Sequence, residues 1–549
     1  MIFEDLGLLF FTALLLSLLL TPATIKFAQR IGAMDTPGER SVHVRIMPRM
    51  GGLGMAISIV VALFLFAQIN QMLAAFLLGV FIIVVTGVLD DLFQVRPLYK
   101  MVGQFLACLV FLGLSGLKLH SFGDILGVGS IDFPPVVATF VSLFAMIGII
   151  NAFNLSDGLD GLAAGLAMIA GLFMAVLALH SHNWLALIII IALLGATLGF
   201  LKFNTYPAKL FMGDTGSLAL GFVVAALVIY LSNSTGDVGI EPITLALILA
   251  LPIVDTIVVM TTRVIQGKSP VSADRTHLHH RLLALGFSHA LVVIIIYVLA
   301  FAFGLLALTL YHEPAWIQLI FGLAACILLY TILFFCERRK INVTKFALLS
   351  KEHVLETKAT HLVGKSLRGL RFVILVGLLL PVFFVESIPP EAHNLLFGVL
   401  ILLLVAYPWK EHHERPNIVY GLFYLSGMAI LYVWNLATYT GFSLATYTLG
   451  FSVVLFVWST LKIRFKGHKE VFLTSGLEVI LILISWFIPF VVLPVLQVSE
   501  EVLVAAKTSC LEAIPLLIAM KIVIRRQPDR NYMMVGGLSV VLLLILVVL

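Results

Sequence analysis

Long apolar runs separated by short polar loops extend from one end of the chain to the other. A run of about 17–25 residues is long enough to cross the ~30 Å hydrocarbon core of a membrane as a helix. The pattern predicts an all-α, polytopic integral membrane protein with about 18 transmembrane helices. The predicted spans are 5–25, 51–69, 72–89, 102–118, 136–150, 161–180, 184–201, 216–232, 242–262, 290–310, 315–336, 372–387, 394–408, 418–436, 443–461, 474–496, 503–524 and 532–549.

The distribution of basic residues predicts how these spans are oriented. With the amino terminus outside, the loops on the cytoplasmic side hold all but two of the 34 Lys and Arg residues, the exceptions being Lys118 and Lys507. Lys and Arg collect in cytoplasmic loops of membrane proteins. The first span follows Glu4 and Asp5 rather than a basic segment, which argues against a cleaved signal peptide. We therefore expect a multi-pass protein of the inner (plasma) membrane with its amino terminus outside.

Composition agrees with this fold class and excludes others. The chain is 61% hydrophobic and only 11% charged, and soluble globular proteins have about twice that charged fraction. A formal net charge of +5 gives no reason to expect nucleic-acid binding. The four cysteines lie in or beside apolar runs, which argues against a disulfide framework.

The longest polar stretch predicts a division into two membrane domains. Residues 337–371 carry nine basic residues and would form a cytoplasmic linker between a domain at 1–336 and an accessory domain at 372–549. The accessory domain contains few intramembrane charges, chiefly Glu478, Lys507 and Glu512. It carries no assignable motif, so scaffolding, partner binding, lipid handling and regulation all remain open for it.

Four polar clusters fall on the predicted cytoplasmic side, and the first is an acidic pair. Asp90 and Asp91 end the third predicted span in GVLDDLFQVRPLYK. Adjacent carboxylates in a low-dielectric setting favour a proton acceptor, because like charges disfavour ionisation of both groups. The alternative is an ordinary solvated helix end.

The second cluster is NAFNLSDGLDGLAAG at 151–165. Asn154, Asp157 and Asp160 are spaced three apart, so a helical segment would put them near one face. Gly158 and Gly161 would allow a ligand or another backbone to come close. The calcium-binding EF-hand pattern is absent.

The third cluster lies in KFNTYPAKLFMGDTGSLALG at 202–221. Asp214 precedes a predicted helix start, which fits a simple helix cap as well as a metal or anion site. Lys209 could meet a phosphate group. Phe211 could stack on a base or serve as a packing residue.

The fourth cluster is SADRTHLHHRLLALG at 272–286. His277 and His280 share a helical face beside Arg281, a hydrogen-bond-donating patch suited to a diphosphate. Zinc is the competing ligand, but the adjacent His279 and His280 are poorly placed to hold one ion, and no cysteine lies nearby. A solvated loop is the other alternative.

Together the clusters indicate phosphoryl transfer at the cytoplasmic membrane surface. Carboxylates that hold magnesium, a spare carboxylate that acts as base and cationic groups around a diphosphate are the parts of such a site. A transporter is the competing class, but transporters bind substrates near the bilayer midplane, whereas these carboxylates stand at span ends. A structural scaffold would leave the shared face of the acidic clusters unexplained.

The same residues carry a resemblance to a known family. Five motifs occur in order: DTPGERSVHVRIMPRMGG at 35–52, DDLFQVRPLYK at 90–100, NAFNLSDGLDGLA at 151–163, FMGDTGS at 211–217 and HLHHRL at 277–282. Over residues 1–336 the chain resembles the polyprenyl-phosphate N-acetylhexosamine-1-phosphate transferases, membrane enzymes of the glycosyltransferase family 4 type. The eleven-span layout also looks like the branch that uses UDP-N-acetylglucosamine.

The resemblance implies that a polyprenyl phosphate, such as undecaprenyl phosphate, attacks the β-phosphorus of a UDP-N-acetylhexosamine and releases UMP. It implies Mg²⁺, or alternatively Mn²⁺, as cofactor, and allows a homodimer. In the branch that makes phospho-MurNAc-pentapeptide lipids the last motif has three consecutive histidines. This chain reads His-Leu-His-His-Arg, which favours the N-acetylglucosamine branch and leaves the other as the alternative.

Roles for individual residues follow from the resemblance together with the four clusters. Asp90 or Asp91 would bind or deprotonate the lipid phosphate, and Asp214 with Asn154 would hold the metal ion. The residues expected to bind substrate are Lys100, Asp157, Asp160, Phe211, His277, His279, His280 and Arg281. Asp160 would meet the uracil, and Phe211 would lie near the base. Lys100 and the segment from His277 to Arg281, which we call the histidine segment, would balance phosphate charge.

Overall fold

The protein is described here from a computed structural model that contains two compact units, Met1–Thr344 and Lys345–Leu549. It describes residues 2–35, 46–234, 239–269, 276–341 and 476–526, together with short pieces between 374 and 457. Five predicted spans lie wholly or largely outside these residues: 372–387, 394–408, 418–436, 443–461 and 532–549. So does most of the predicted linker at 337–371.

Helices occupy all eleven apolar runs that the sequence predicts before residue 337. The helices of the first unit are α1 (Ile2–Ile31), α2 (Gly51–Phe66), α3 (Gln71–Phe93), α4 (Pro97–Ser115), α5 (Pro135–Ser156), α6 (Leu162–His180), α7 (Trp184–Asn204), α8 (Gly213–Ser232), α9 (Pro242–Ile248), α10 (Ala250–Ile265), α11 (Leu278–Ala284), α12 (His289–Thr309) and α13 (Ala315–Arg338). The predicted span 242–262 is two helices, α9 and α10, which meet at an angle of 82°.

The lengths of these helices are those of membrane spans. Among the described residues, ten helices are long and apolar enough to cross a bilayer, and nine of them belong to the first unit. Helix α2 is shorter, with 16 residues. The protein is therefore a mostly helical, multi-pass membrane protein.

Side chains at the helix ends define where several helices begin. Asn70 and Asn183 precede α3 and α7, and each side chain accepts a hydrogen bond from a backbone N–H in the first turn. This contact satisfies one of the four N–H groups that have no partner within a helix. Helix α3 ends at Gln94, which adopts a left-handed backbone conformation. The acidic pair of α3 is thus held in the last turn of a well-defined helix.

Helix α8 lies at the centre of the first unit, where it packs against α2, α3 and α5. In the most apolar stretch of α8, 89% of the residues are buried, against 17% in α13 at the periphery. Close approach of the backbones depends on glycine, since Gly52 touches Gly216 and a side chain at Gly87 would collide with the backbone of Thr215. These contacts hold the start of α8 against the start of α2 and the end of α3.

A short segment before α2 also attaches to the start of α8. Strand β1 (Met34–Asp35) pairs antiparallel with β2 (Met47–Pro48). The backbone then continues alongside residues 211–212, with Phe211 N–H donating to the Pro48 carbonyl at 2.9 Å and Gly51 N–H donating to the Phe211 carbonyl at 3.0 Å. The described ends of the DTPGERSVHVRIMPRMGG motif therefore border the site, while its residues 36–45 lie outside the described residues.

The second unit is mostly helical where the structure describes it, with one short pair of strands. Its elements are β3 (Val385–Ser387), β4 (Thr438–Tyr439), α14 (Gly476–Phe487), a π-helical turn (Ile488–Val492), α15 (Leu493–Val495) and α16 (Glu500–Arg526). Both acidic residues that the sequence singles out there, Glu478 and Glu512, are buried. Asn435 donates to Ser509 Oγ at 3.0 Å and to Glu512 Oε2 at 3.2 Å.

Candidate functional site

The two acidic residues at the end of α3, Asp90 and Asp91, lie in different environments. Asp91 binds the start of α8. Its Oδ1 accepts a hydrogen bond from the Asp214 N–H at 2.9 Å. Its Oδ2 accepts from the Thr215 N–H at 3.0 Å and from the Thr215 hydroxyl at 2.6 Å. Both N–H groups lie in the first turn of α8, where they have no partner within the helix. Asp91 therefore caps α8 from a neighbouring helix, and its negative charge faces the positive end of the helix dipole.

Asp90 faces a lysine instead of the backbone. Lys100 lies in the first turn of α4, and its Nζ is 2.9 Å from Asp90 Oδ2 and 2.6 Å from Asp214 Oδ1. The three side chains come from α3, α4 and α8, and they retain between 9% and 22% of their exposure to solvent. One cation thus bridges two carboxylates that are 124 residues apart in the sequence.

Asn154, near the end of α5, completes the contacts of Asp214. Its Nδ2 donates a short hydrogen bond to Asp214 Oδ1 and a second one, of 2.8 Å, to Ser217 Oγ. In this arrangement the amide orients the carboxylate of Asp214, and the side chain of Ser217 orients the amide. The sequence expectation that Asn154 and Asp214 belong to one site agrees with this proximity.

Asp157 lies in the loop between α5 and α6, surrounded by protein although part of its side chain reaches solvent. Burial, with the nearby charges of Asp214, Asp91 and Asp160, raises the pKa of Asp157 from 3.8 to about 8. Arg49 acts in the opposite direction. A carboxyl group with this pKa exchanges its proton near neutral pH.

Asp160 ties the α5–α6 loop to the segment before α8. Its Oδ2 accepts a hydrogen bond from the Ala208 N–H at 3.0 Å, and its backbone N–H donates to His289 Nε2 at 3.0 Å. The ring of His289 stacks on Tyr206, with centroids 4.6 Å apart. The predicted residues Lys209 and Phe211 are both partly buried in this same segment.

The histidine segment is anchored by Asp255, a residue of α10 that the sequence analysis missed. Asp255 Oδ2 is 2.9 Å from His277 Nδ1, and Oδ1 accepts a hydrogen bond from the Leu278 N–H at 2.8 Å. The hydroxyl of Tyr330 on α13 donates to the same Oδ1 at 3.2 Å. The available signal was an aspartate inside an apolar span, a position that is functional by default.

His279 connects the histidine segment to the α5–α6 loop. Its ring lies between those of His277 and His280, with centroid distances of 5.7 Å and 4.2 Å. It also contacts Gly158, where an added Cβ would overlap the imidazole. Burial and the neighbouring histidines lower the pKa of His279 to about 3, so this ring is neutral at physiological pH. A neutral ring at this position can offer hydrogen bonding and packing to a substrate, whereas the charge balance that the resemblance implies for His279 would need a protonated ring.

Arg281 is bound to a carboxylate of its own. Its Nε and a terminal nitrogen donate to the two oxygens of Glu337 at 2.7 and 2.8 Å, and its guanidinium stands over the Tyr330 ring. The hydrogen bonds from Glu337 raise the pKa of Arg281 further above its already high value. Glu337 is a second residue that the sequence analysis missed, because it stands at the end of a span where charged residues are ordinary.

The carboxylates at the ends of α3 and α8 are the candidate ligands for a divalent cation. Among the described residues there is no group of three or more His, Cys, Asp or Glu side chains able to hold a metal ion. Magnesium does not require one, because it is bound through one or two carboxylates plus substrate phosphates. Asp90 and Asp214 already share one cation, the Lys100 ammonium, so their oxygens are arranged around a point of positive charge. The pair fits magnesium when substrate completes the shell.

Comparison with known proteins identifies relatives of this chain. Residues 73–232 match the family model described as glycosyl transferase family 4. The chain is 38% identical over 320 residues to the probable undecaprenyl-phosphate N-acetylglucosaminyl 1-phosphate transferase of Bacillus subtilis (strain 168). That alignment covers 56% of this chain and 86% of the relative. The chain belongs to glycosyl transferase family 4. It is therefore an enzyme of the phosphosugar transferase type.

Other family 4 relatives show the same pattern of coverage. The chain is 34% identical over 370 residues to the decaprenyl-phosphate N-acetylglucosaminephosphotransferase of Mycolicibacterium smegmatis, covering 61% of this chain and 90% of the relative. It is 30% identical over 329 residues to the undecaprenyl-phosphate alpha-N-acetylglucosaminyl 1-phosphate transferase of Yersinia pestis, covering 58% and 88%. The family 4 model spans α3 to α8, which contribute Asp90, Asp91, Lys100, Asn154 and Asp214.

Proposed function

We propose that this protein transfers N-acetylglucosamine-1-phosphate from UDP-N-acetylglucosamine to a polyprenyl phosphate, undecaprenyl phosphate in particular, with release of UMP. This reaction begins the assembly of a lipid-linked glycan. The observation that carries the proposal is the group of Asp90, Lys100 and Asp214 at the ends of membrane helices, in a chain whose family 4 relatives are named for this transfer. A site at a helix end suits one substrate from the membrane and another from the aqueous phase.

In the proposed reaction a phosphate oxygen of the lipid forms a bond to the β-phosphorus, and the bond from that phosphorus to the bridging oxygen breaks. UMP leaves with the electron pair. Asp90 is the better candidate for the carboxylate that receives a proton from the lipid phosphate, because both oxygens of Asp91 are occupied at the start of α8. A weak base suffices, since the second pKa of a phosphate monoester is about 6.

Charge around the diphosphate would come from Lys100 and from a divalent cation. Lys100 would turn from Asp90 and Asp214 toward a phosphate oxygen when the diphosphate binds. We propose Mg²⁺, with Mn²⁺ as a substitute, held by Asp214, whose carboxylate Asn154 orients, while Asp90 accepts the proton. When bound, the cation supplies electrostatic stabilisation of the charge on the transferred phosphoryl group. Catalysis then rests on positioning and charge, as in other phosphoryl transfers.

The nucleotide would bind against the α5–α6 loop and the segment before α8. Asp160 and Phe211 are proposed for the uracil, and Asp157 organises the loop. The histidine segment, His277 to Arg281, is proposed to cover the bound sugar nucleotide, with His277 and His280 forming hydrogen bonds to it. Arg281 is bidentate with Glu337, so its part is to anchor this segment.

The topology proposed for the chain follows from its basic residues. Eighteen spans, eleven in the domain 1–336 and seven in 372–549, would put the amino terminus outside and the carboxylates at the cytoplasmic face of the inner membrane. The accessory domain is proposed to act as a scaffold or partner-binding unit, and the transferase domain is compatible with a homodimer. Cysteine accessibility labelling of intact cells at the exposed positions 182 and 96 would test the orientation: labelling at 96 alone would contradict it.

The reaction is tested with purified protein, radiolabelled UDP-N-acetylglucosamine, undecaprenyl phosphate and magnesium. Labelled lipid and UMP should form in equal amounts. A parallel reaction with UDP-MurNAc-pentapeptide tests the alternative branch and should give no lipid product. If no UDP-N-acetylhexosamine yields a labelled lipid, the proposal is wrong.

A further inference from the structure

We propose that Asp255 is a positioning residue for the transferase reaction, acting through His277. It fixes which ring nitrogen of His277 carries the proton, and it holds the histidine segment at the α5–α6 loop. The proposal rests on the proposed function, but it concerns a residue on α10, outside the segment matched by the family model.

Asp255 joins three separate elements of the first unit. Its two oxygens receive contacts from His277 and Leu278 at the start of α11 and from Tyr330 on α13. Asp255 is 8% exposed and His277 is 5% exposed, so water competes little for these contacts. A buried carboxylate is costly unless its oxygens are satisfied, and here both oxygens are engaged.

The contact with Asp255 determines the tautomer of His277. A carboxylate accepts hydrogen bonds, so Nδ1 of His277 must be the nitrogen that donates across 2.9 Å. The other nitrogen, Nε2, has no hydrogen-bond partner among the described residues. In the neutral ring Asp255 thus leaves Nε2 unprotonated, so this nitrogen can accept a hydrogen bond from a hydroxyl or N–H group of the substrate, in the way that a carboxylate orients a catalytic or metal-bound histidine elsewhere.

The position of His277 is transmitted to the α5–α6 loop through ring contacts. The imidazoles of His277 and His279 are nearly parallel, with an interplanar angle of 10°. His279 in turn touches Gly158, the neighbour of Asp157. Loss of the Asp255 contact would release His277 and remove the cap on the Leu278 N–H, and it would loosen the segment against this loop.

The test is a double-mutant cycle with Asp255→Asn, His277→Gln and the combined variant, each purified as the full chain. Asp255→Asn keeps the size of the side chain but presents an amide group that can turn its own N–H toward Nδ1. The matched control is Asp124→Asn, since Asp124 also accepts a backbone hydrogen bond, from Gly129, but lies in the α4–α5 loop outside the site. Steady-state kcat and KM for both substrates, the unfolding temperature and the ¹⁵N spectrum of histidine-labelled protein are measured.

If Asp255 acts through His277, Asp255→Asn should lower kcat by about 10- to 100-fold, as loss of an orienting carboxylate does elsewhere. The combined variant should then be no slower than His277→Gln alone, and Asp124→Asn should match the unaltered protein. The ¹⁵N shifts of His277 should move from the Nδ1–H form toward a mixture of tautomers. If the fold-losses of kcat in the two single variants multiply in the combined variant, the proposal is wrong. An unchanged ¹⁵N spectrum of His277 in Asp255→Asn would also overturn it.

The two proposals can fail separately. If the unaltered protein makes no lipid product, the transferase proposal is wrong, and the tautomer of His277 in the Asp255→Asn variant still decides whether Asp255 positions that ring. If the unaltered protein is active but Asp255→Asn only lowers the unfolding temperature, with kcat at the permissive temperature intact, Asp255 is purely structural. That outcome contradicts the inference and leaves the transferase proposal standing.

Discussion

Replacement of Asp91 by asparagine separates its role from that of Asp90. In the structure Asp91 accepts three hydrogen bonds at the start of α8, and an asparagine has only one acceptor oxygen. Whichever way the amide turns, its NH₂ group faces at least one buried donor from Asp214 or Thr215. A hydrogen bond to a charged group is worth about 1.5–3 kcal/mol, and loss of the negative charge at a helix start costs about 0.3–1 kcal/mol more. We therefore expect Asp91→Asn to destabilise the fold by about 2–4 kcal/mol.

Asp90→Asn should behave differently, because its contact is with the ammonium of Lys100 and not with the backbone of α8. When Asp90 is replaced, Lys100 keeps its second carboxylate partner, Asp214, and the asparagine keeps an oxygen that can accept from Lys100. This variant should keep its unfolding temperature and lose turnover. The assay is thermal unfolding of the detergent-purified variants, followed by tryptophan fluorescence, alongside transfer of radiolabel to lipid.

A control and a contradictory result complete this prediction. Thr215→Val removes one of the three donors to Asp91 and should cost about 1 kcal/mol, less than Asp91→Asn. If Asp91→Asn unfolds at the temperature of the unaltered protein, Asp91 does not hold α8 in the way that we infer. A larger loss of stability in Asp90→Asn than in Asp91→Asn would refute the assignment of roles.

Four further predictions concern the α5–α6 loop, the cation and the second unit. Burial raises the pKa of Asp157 from 3.8 to about 8, so between these pH values the folded chain holds a proton that the unfolded chain releases. The free energy of unfolding should therefore fall as pH rises through this range. In Asp157→Asn the unfolding temperature should depend less on pH there. Gly158→Ala should displace His279 and lower kcat several-fold, whereas Gly148→Ala, with open space around it, should leave kcat unchanged; equal rates would contradict the contact. Removal of divalent cations with EDTA should abolish transfer, and added Mg²⁺ should restore it; activity that survives EDTA would exclude the metal assignment. A chain that ends at Thr344 should keep transferase activity, and a folded but inactive truncation would show that the second unit is required.

The helices of the first unit could be predicted from the sequence because membrane spans depend on local composition. A run of apolar residues must form a helix to satisfy its backbone in lipid, so α3, α5 and α8 follow from hydropathy alone. The 82° bend between α9 and α10 was not predicted, although Pro252 stands three residues after Leu249 and cannot donate the backbone hydrogen bond that would continue α9. Membership of the family was predicted and is confirmed by the comparisons.

The site could be predicted only at the level of which residues belong to it. Motif reasoning grouped Asp90, Asp214 and Lys100, and the structure brings those side chains into contact. It could not separate Asp90 from Asp91, because the two differ only in which helix each one faces. It also missed Asp255 and Glu337, whose partners are 22 and 56 residues away, since a pairing of this kind depends on packing and leaves no periodic pattern.

The glycine contacts around α8 determine which parts of the protein can be redesigned. Gly52 and Gly216 touch backbone to backbone, and Gly87 has no room for even a methyl group beside Thr215. If a library of variants is selected for activity with another donor sugar, substitutions at these three glycines should therefore be lost, whichever sugar is used. Useful diversity belongs at positions 205–209, in the loop between α7 and α8, where exchange of a side chain does not force two helices apart.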